Sequence, residues 1–297
     1  MPVLGQSDIT GRFPSSNKRS MPEKIHFRNP FQNLNAVHRG SRTGGLSKFD
    51  FPNCPSQFSL RSWEIGTENA STEIGAHQHF GFVVAGRMKL VFNGLEFPLV
   101  AGMYFSVPGC AEIVRDLSCV DKDEQEKHTN MPANGILISQ ANYKGLFQIG
   151  GPIETTGRLN YIDGCSDTLL ISPVRKGDAC LNFLHLPAGT DQTSHTHPSF
   201  RFGTIVDGEG YCESDNGVEH LTPGKIFYIP PDGRHRFRTE NKSLSVIAFH
   251  PDSDFGPDDY DHPMVNKTIV NGTPASKLTL AQRNLAGEAF HMPADNG

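Results

Sequence analysis

The sequence predicts an all-β protein built as two copies of one unit. Glycine and proline are plentiful, at 30 and 21 of 297 residues. Short apolar or alternating runs stop at these residues, as strands joined by turns do. Strong helical periodicity is scarce before the last stretch. The two halves also carry one pattern at a fixed offset of 122 residues. It takes Gly86 to Gly208, Gly102 to Gly224, Phe105 to Phe227 and Pro108 to Pro230. Turn glycines and a strand-ending proline held in one register mark a structural repeat.

Residues 1–45 are rich in Ser, Asn, Arg and Gly and read as an arm, partly disordered at its start. The first unit is assigned to 46–150. Its strands are FSLRSWEI (58–65), FGFVVAG (80–86), RMKLVFNG (87–94), MYFSVP (103–108) and GILISQA (135–141), with a solvated loop at 120–130. The second unit is assigned to 151–255. It repeats the rhythm in CLNFLHLP (180–187), FGTIVDGEGYC (202–212), KIFYIPP (225–231) and SLSVIAFHP (243–251). A tail, 256–297, holds an acidic loop and the best helix candidate, 276–290, whose apolar residues recur at roughly helical spacing.

The length suffices for one large domain or two ordinary ones with real cores. Charged residues are 20% of the chain and the net charge is −5, without the basic stripe of a nucleic-acid binder. The six cysteines form no C-x-x-C pair and read as scattered buried thiols. The N-terminus lacks the apolar core of a secretory signal, and no apolar run approaches a membrane span. A soluble cytoplasmic protein is expected.

The chemistry is concentrated in SHTHPSFRF, residues 194–202. Residues i and i+2 on a strand face the same way, so His195 and His197 can enter one interior together. His235 starts a strand after a Pro-Gly turn and can close the site from a neighbouring strand. A lone H-x-H is more often an ordinary surface or core pair. A third histidine and two glycines in register favour a metal. Three imidazoles suit Fe, Zn, Cu or Ni, leave coordination positions open, and do not decide among Fe, Mn, Ni, Cu and Zn.

These residues resemble the two motifs of the cupin superfamily, G-x5-H-x-H-x3,4-E-x6-G and G-x5-P-x-G-x2-H-x3-N. Gly189, His195, His197, Arg201 and Gly208 fit the first spacing, with Arg201 in place of Glu. Gly224, Pro230 and His235 fit the second, with the glycine one place late at Gly233 and Thr239 in place of Asn. The resemblance covers about residues 50–255. It implies two tandem antiparallel jelly-roll barrels, a bicupin, with the metal in the C-terminal barrel. Three-His sites without the Glu look like those of several Fe(II) dioxygenases, including thiol and gentisate types. Arg-Phe after H-x-H is similar to the gentisate group.

Loss of the Glu leaves three neutral imidazoles beside the guanidinium of Arg201. That side chain needs anionic company if buried. A carboxylate or enolate substrate could supply it through bidentate hydrogen bonds. Pairing with a structural acid such as Glu209 or Glu213, or an outward orientation, is the equal alternative. Tyr228 and His185 are further pocket candidates, with core packing as the other reading for each.

In the first half the offset replaces His195, His197, Arg201 and His235 by Glu73, Gly75, His79 and Ile113. The triad is absent. Glu73, His77 and His79 form a possible secondary site, and a structural or vestigial role is expected for this half. The functional expectation is a metal-dependent enzyme, most of all an Fe(II) dioxygenase that uses dioxygen on a small anionic substrate. The alternatives are a non-catalytic ligand-binding or sensing protein and a metal-dependent isomerase or lyase of a sugar acid. A homodimer or higher oligomer is expected from edge strands that need covering.

Overall fold

The computed structural model describes residues 23–30, 45–66, 71–116, 132–258, 263–279 and 281–282. The protein is all-β, with its strands in two jelly-roll units. The loop expected at 120–130 and most of the helix expected at 276–290 lie outside the described residues.

The first unit comprises β2 (Gly45–Phe49), β3 (Phe58–Ile65), β4 (Ser71–Ile74), β5 (Gln78–Ala85), β6 (Arg87–Phe92), β7 (Leu95–Val100), β8 (Tyr104–Pro108), β9 (Ala111–Arg115), β10 (Ala133–Gln140) and β11 (Gln148–Gly150). They form a six-stranded sheet, β11-β8-β5-β10-β3-β2, and a four-stranded sheet, β4-β9-β6-β7.

The second unit comprises β12 (Leu159–Asn160), β13 (Ser166–Ile171), β14 (Cys180–Leu186), β15 (Arg201–Gly208), β16 (Gly210–Ser214), β17 (Gly217–Leu221), β18 (Ile226–Ile229), β19 (His235–Arg238) and β20 (Leu244–His250). Its large sheet runs β1-β18-β15-β20-β14-β13-β12 and its small sheet β17-β16-β19. Here β1 (His26–Arg28) comes from the N-terminal arm. That arm therefore contributes an edge strand to the second unit, with Phe27 paired to Phe227. The tail holds α1 (Pro263–Lys267) and the short pair β21 (Ile269–Val270) and β22 (Thr273–Pro274).

The repeat holds in three dimensions. Gly86 and Gly208 have φ of 78° and 80°, and Gly102 and Gly224 have 83° and 84°. These are left-handed turn positions that favour glycine. Gly81 and Gly203 match as well. A Cβ on either would lie 2.0 Å from the Phe105 ring or 2.2 Å from the Phe227 ring. Each glycine lets an aromatic ring cross its strand.

Three apolar cores follow from strand parity. Trp63, Leu90, Phe105, Ile113 and Leu137 fill the first barrel. Ile205, Phe227, Phe237 and Val246 line part of the second. Between the barrels, Leu60, Phe80, Phe82, Ile136 and Ile138 meet Phe183, Phe202, Tyr228, Ile247 and Phe249. Truncating one such buried Phe to Ala costs about 3–5 kcal/mol, so the two large sheets are held face to face. Of the described cysteines, Cys165, Cys180 and Cys212 are buried, Cys54 is half-buried and Cys110 is exposed. No described helix is long and apolar enough to cross a membrane.

Candidate metal centre

His195, His197 and His235 converge in the second barrel. One ring nitrogen from each lies within 4.8 Å of the others. Among the described residues this is the cluster of three or more such donors that could hold a metal. Their ring centroids are 4.6–5.2 Å apart.

The scaffold differs from the strand expected at 195–197. The segment lies outside the regular strands, and the bridge between His195 and His235 ties it to β19. His195 N–H donates to His235 O at 2.9 Å, and His235 N–H donates to His195 O at 3.0 Å. Pro198, without an N–H, cannot continue such a ladder. Further ties replace it. Asp232 N–H donates to His197 O at 2.8 Å, and Gln192 N–H to Phe237 O at 3.1 Å. Asp163 takes hydrogen bonds from the Thr193 backbone N–H at 2.6 Å and hydroxyl at 3.2 Å. Asp232, at the motif position vacated by glycine, has φ of 56°. Aspartate tolerates that left-handed conformation better than most residues. Thr239, at the motif Asn position, donates to Pro187 O at 2.6 Å and accepts from Thr190 N–H at 2.9 Å.

Two of the imidazoles have their tautomers set. His195 Nδ1 lies 2.8 Å from Thr193 O, and His235 Nδ1 lies 2.8 Å from Gly233 O. A carbonyl only accepts, so each Nδ1 carries the proton and each Nε2 keeps its lone pair, as metal-ligating histidines require. Burial holds His197 down at about 3, with Arg201 and the other two rings adding to the shift. Burial likewise holds His235 at about 4, against an opposing hydrogen bond to Gly233. Both are neutral at neutral pH. The donor set fits a divalent transition metal.

The cavity around the triad has a volume of about 50 Å³ and is also lined by Arg201, His250, Tyr161, Asp167, Gln192 and apolar side chains. Arg201 is only 8% exposed. Its Nη1 donates to Ser199 Oγ at 2.6 Å, Phe200 O at 2.9 Å and Ser199 O at 3.1 Å. Asp252 stands 3.9 Å away and takes the Ser199 hydroxyl at 2.5 Å. Arg201 Nε is buried without a partner. Glu209 and Glu213 are engaged elsewhere, with Lys242 and His220 and with Arg236 and Arg238 respectively. Among the described residues, the one acid within ion-pair distance of Arg201 is therefore a half-exposed aspartate that also holds the Ser199 hydroxyl.

The other sequence candidates lie apart from this cavity. Tyr228 faces the inter-barrel core, stacked on Phe51 at 5.1 Å between centroids, and its hydroxyl is buried without a partner. His185 lies on the opposite face of β14 from the cavity-lining Leu184. It lines a groove between the barrels, with Nδ1 3.3 Å from Ser245 Oγ. Glu73 and His77 are exposed, and His79 is buried. His79 spends both ring nitrogens, on Gly75 O at 2.6 Å and Ser139 Oγ at 2.8 Å. The three do not form a donor cluster. Ile113, at the position of His235, is fully buried among apolar residues.

Sequence reasoning missed His250, Asp167 and Tyr161. Asp167 and His250 enter the cavity through long-range register, Tyr161 from the turn after β12, and no local motif marks them. Burial holds His250 well below its usual range, with Arg201 and His197 adding to the effect.

A family model for the cupin domain matches residues 182–250. Residues 182–250 are a cupin domain. The solved structures similar to the chain include a salicylate 1,2-dioxygenase from Pseudaminobacter salicylatoxidans. It is 12% identical, with a TM-score of 0.58, over 80% of this chain and 87% of that one. A variant of that enzyme in complex with gentisate is 14% identical, with a TM-score of 0.57, over 78% and 84% of the two chains. Protein Ylba from E. coli is 15% identical, with a TM-score of 0.56, over 82% and 97%. At these identities the likeness is one of fold. No curated protein matches in sequence. The cupin domain contains both β15 and β19, and its triad sits where the cupin metal site is expected.

Proposed function

We propose that this protein is a metal-dependent cupin dioxygenase acting on a small anionic substrate. In this reading His195, His197 and His235 hold one iron(II), and Arg201 receives the carboxylate or enolate of the substrate. The observation that carries it is the pairing of a three-imidazole cluster with a buried guanidinium in one cavity. Arg201 Nε has no protein partner. Leaving a buried donor unmade costs about 1–3 kcal/mol, which an anionic ligand would recover. The salicylate 1,2-dioxygenase of similar fold, and its gentisate complex, support an acid of that kind.

Iron(II) in such a site supplies the redox coupling between an organic acid and dioxygen. The protein's own contribution is positional. The carbonyls of Thr193 and Gly233 orient two imidazoles. Ser199 and Phe200 clamp Nη1, so the guanidinium presents a fixed edge. Phe227, Ile229 and Phe237 make the walls apolar, which strengthens charge pairing inside. The first barrel, with Ile113 in place of a ligand, acts as support and is assigned residues 46–150; the catalytic barrel is assigned 151–255.

The test is oxygen uptake by anaerobically purified protein offered a panel of small aromatic and aliphatic acids. Uptake with at least one acid, lost in His235→Ala, is expected. Tight binding of an acid without uptake, in protein carrying its metal, would leave the ligand-binding reading in its place.

A further inference from the structure

The cavity has a second polar pole, set by sheet register. Gly203 pairs with Ala248, Ala248 with Asn182, and Asn182 with Leu169. One step along, Ile205 pairs with Val246, Val246 with Leu184, and Leu184 with Asp167. Asp167 on β13 therefore shares the inward face of the large sheet with Arg201 on β15, two inward positions before Ile205. Both line the cavity of the histidine triad.

Asp167 is half-buried, and its carboxyl group accepts hydrogen bonds from one amide. Asn182 Nδ2 donates to its two oxygens at 3.0 and 3.1 Å. The amide oxygen of Asn182 is itself occupied by the Cys180 thiol at 3.3 Å. This chain fixes the carboxyl plane. A carboxylate offers about four acceptor sites, and Asn182 carries two hydrogens, so acceptor capacity remains on a residue that lines the cavity. No salt bridge involving Asp167 is found among the described residues. Burial raises its pKa, with Asn182 opposing. Tyr161 lines the same cavity.

We propose that Asp167 is a substrate-binding residue that selects acids carrying a hydroxyl or amine donor at the end remote from the carboxylate. This rests on the reading of Arg201 as the carboxylate anchor and deepens it. Arg201 fixes one end of the molecule, and Asp167 takes a hydrogen bond from the other. An oriented carboxyl with spare lone pairs discriminates strongly, because an analogue lacking the donor leaves it desolvated and unmade.

The experiment measures affinity by calorimetry under nitrogen, with metal content as purified, for two matched pairs. These are gentisate against salicylate and 3-hydroxypropionate against propionate. Wild type is expected to prefer the acid with the extra hydroxyl at least tenfold in one pair. Asp167→Leu should abolish that preference while leaving the affinity for the simpler acid within about twofold. Asp167→Asn, which keeps one acceptor oxygen and the shape, should fall between. Melting temperatures of all three proteins control for folding, and a structural role alone would not change the ratio. A preference that survives in Asp167→Leu would overturn the proposal, as would the absence of any preference in wild type or of any binding by these acids. Failure of the Arg201 reading is seen separately, as undiminished affinity of Arg201→Ala for the simpler acids.

Discussion

Arg201 sits in the second barrel where His79 sits in the first. Each opens the inward part of its strand, His79 paired to Val107 and Arg201 to Ile229, 122 residues further on in both cases. Their surroundings have diverged. His79 is fully buried, with both ring nitrogens hydrogen-bonded. Arg201 is clamped at one nitrogen and bare at another, beside a cavity. One position of the fold holds a satisfied core residue in one copy and, in the other, a cation with one nitrogen left unpaired.

Arg201→Ala is expected to leave metal content unchanged. It should weaken binding of a carboxylate probe such as gentisate by about ten- to a hundredfold, the equivalent of one charge-assisted hydrogen bond of ~1.5–3 kcal/mol. Arg201→Lys should recover part of this, since a point charge does not reproduce the planar fork. Melting temperature will fall as well, because Ser199 and Phe200 lose a donor. Normal affinity in the surviving folded protein would remove the anchor role.

His79 predicts a pH dependence of stability. Burial holds its pKa at about 4 in the folded protein, against a usual 6.5. Between these values the unfolded chain binds a proton that the folded chain does not. The neutral-state stability is thus fully present above pH 6.5 and is lost as pH falls toward 4, by about 3 kcal/mol at most. Denaturant midpoints of wild type and His79→Gln at pH 7.5 and 4.5 measure this. The variant should lose less stability on acidification, and an equal loss in both would contradict the assignment.

Gly203→Ala should be costly. Its Cβ would lie 2.2 Å from the Phe227 ring and 2.4 Å from Ile247 O, and the second neighbour is backbone. Overpacking of this kind costs about 1–3 kcal/mol. Phe227 also lines the metal cavity, so ligand affinity should fall together with melting temperature. A wild-type melting temperature would show that the ring is free to move.

We infer that the chain self-associates. Exposed Leu95 and Leu146 flank the Phe92–Phe147–Phe97 ring cluster on the first barrel. Sedimentation at micromolar concentration should give about twice the 32.6 kDa of one chain. A single species at the monomer mass would contradict this.

The repeat was legible because turn glycines and strand-ending prolines obey backbone rules that sequence displays directly. The alternating segment FSLRSWEI, 58–65, coincides with β3. The triad was legible because its motif spacing survives the Glu-to-Arg201 change. Facing was less legible. β18 reads Ile226, Phe227, Tyr228, Ile229, and all four are buried. A strand buried on both faces shows no alternation, so sequence could not say that Phe227 and Ile229 face the cavity while Tyr228 faces the other barrel. His185 and Leu184 are divided in the same way. Asp167 and His250 are set by pairings 17 and 70 residues apart in sequence, and the annexed strand β1 joins residues about 200 apart. Nothing local encodes these.

The central claim is a single metal held by His195, His197 and His235. Elemental analysis of anaerobically purified wild type and His235→Ala tests it most directly, with circular dichroism to confirm the fold. About one iron per wild-type chain, and near-complete loss in the folded variant, is the predicted result. Near-full retention of metal by His235→Ala would contradict it.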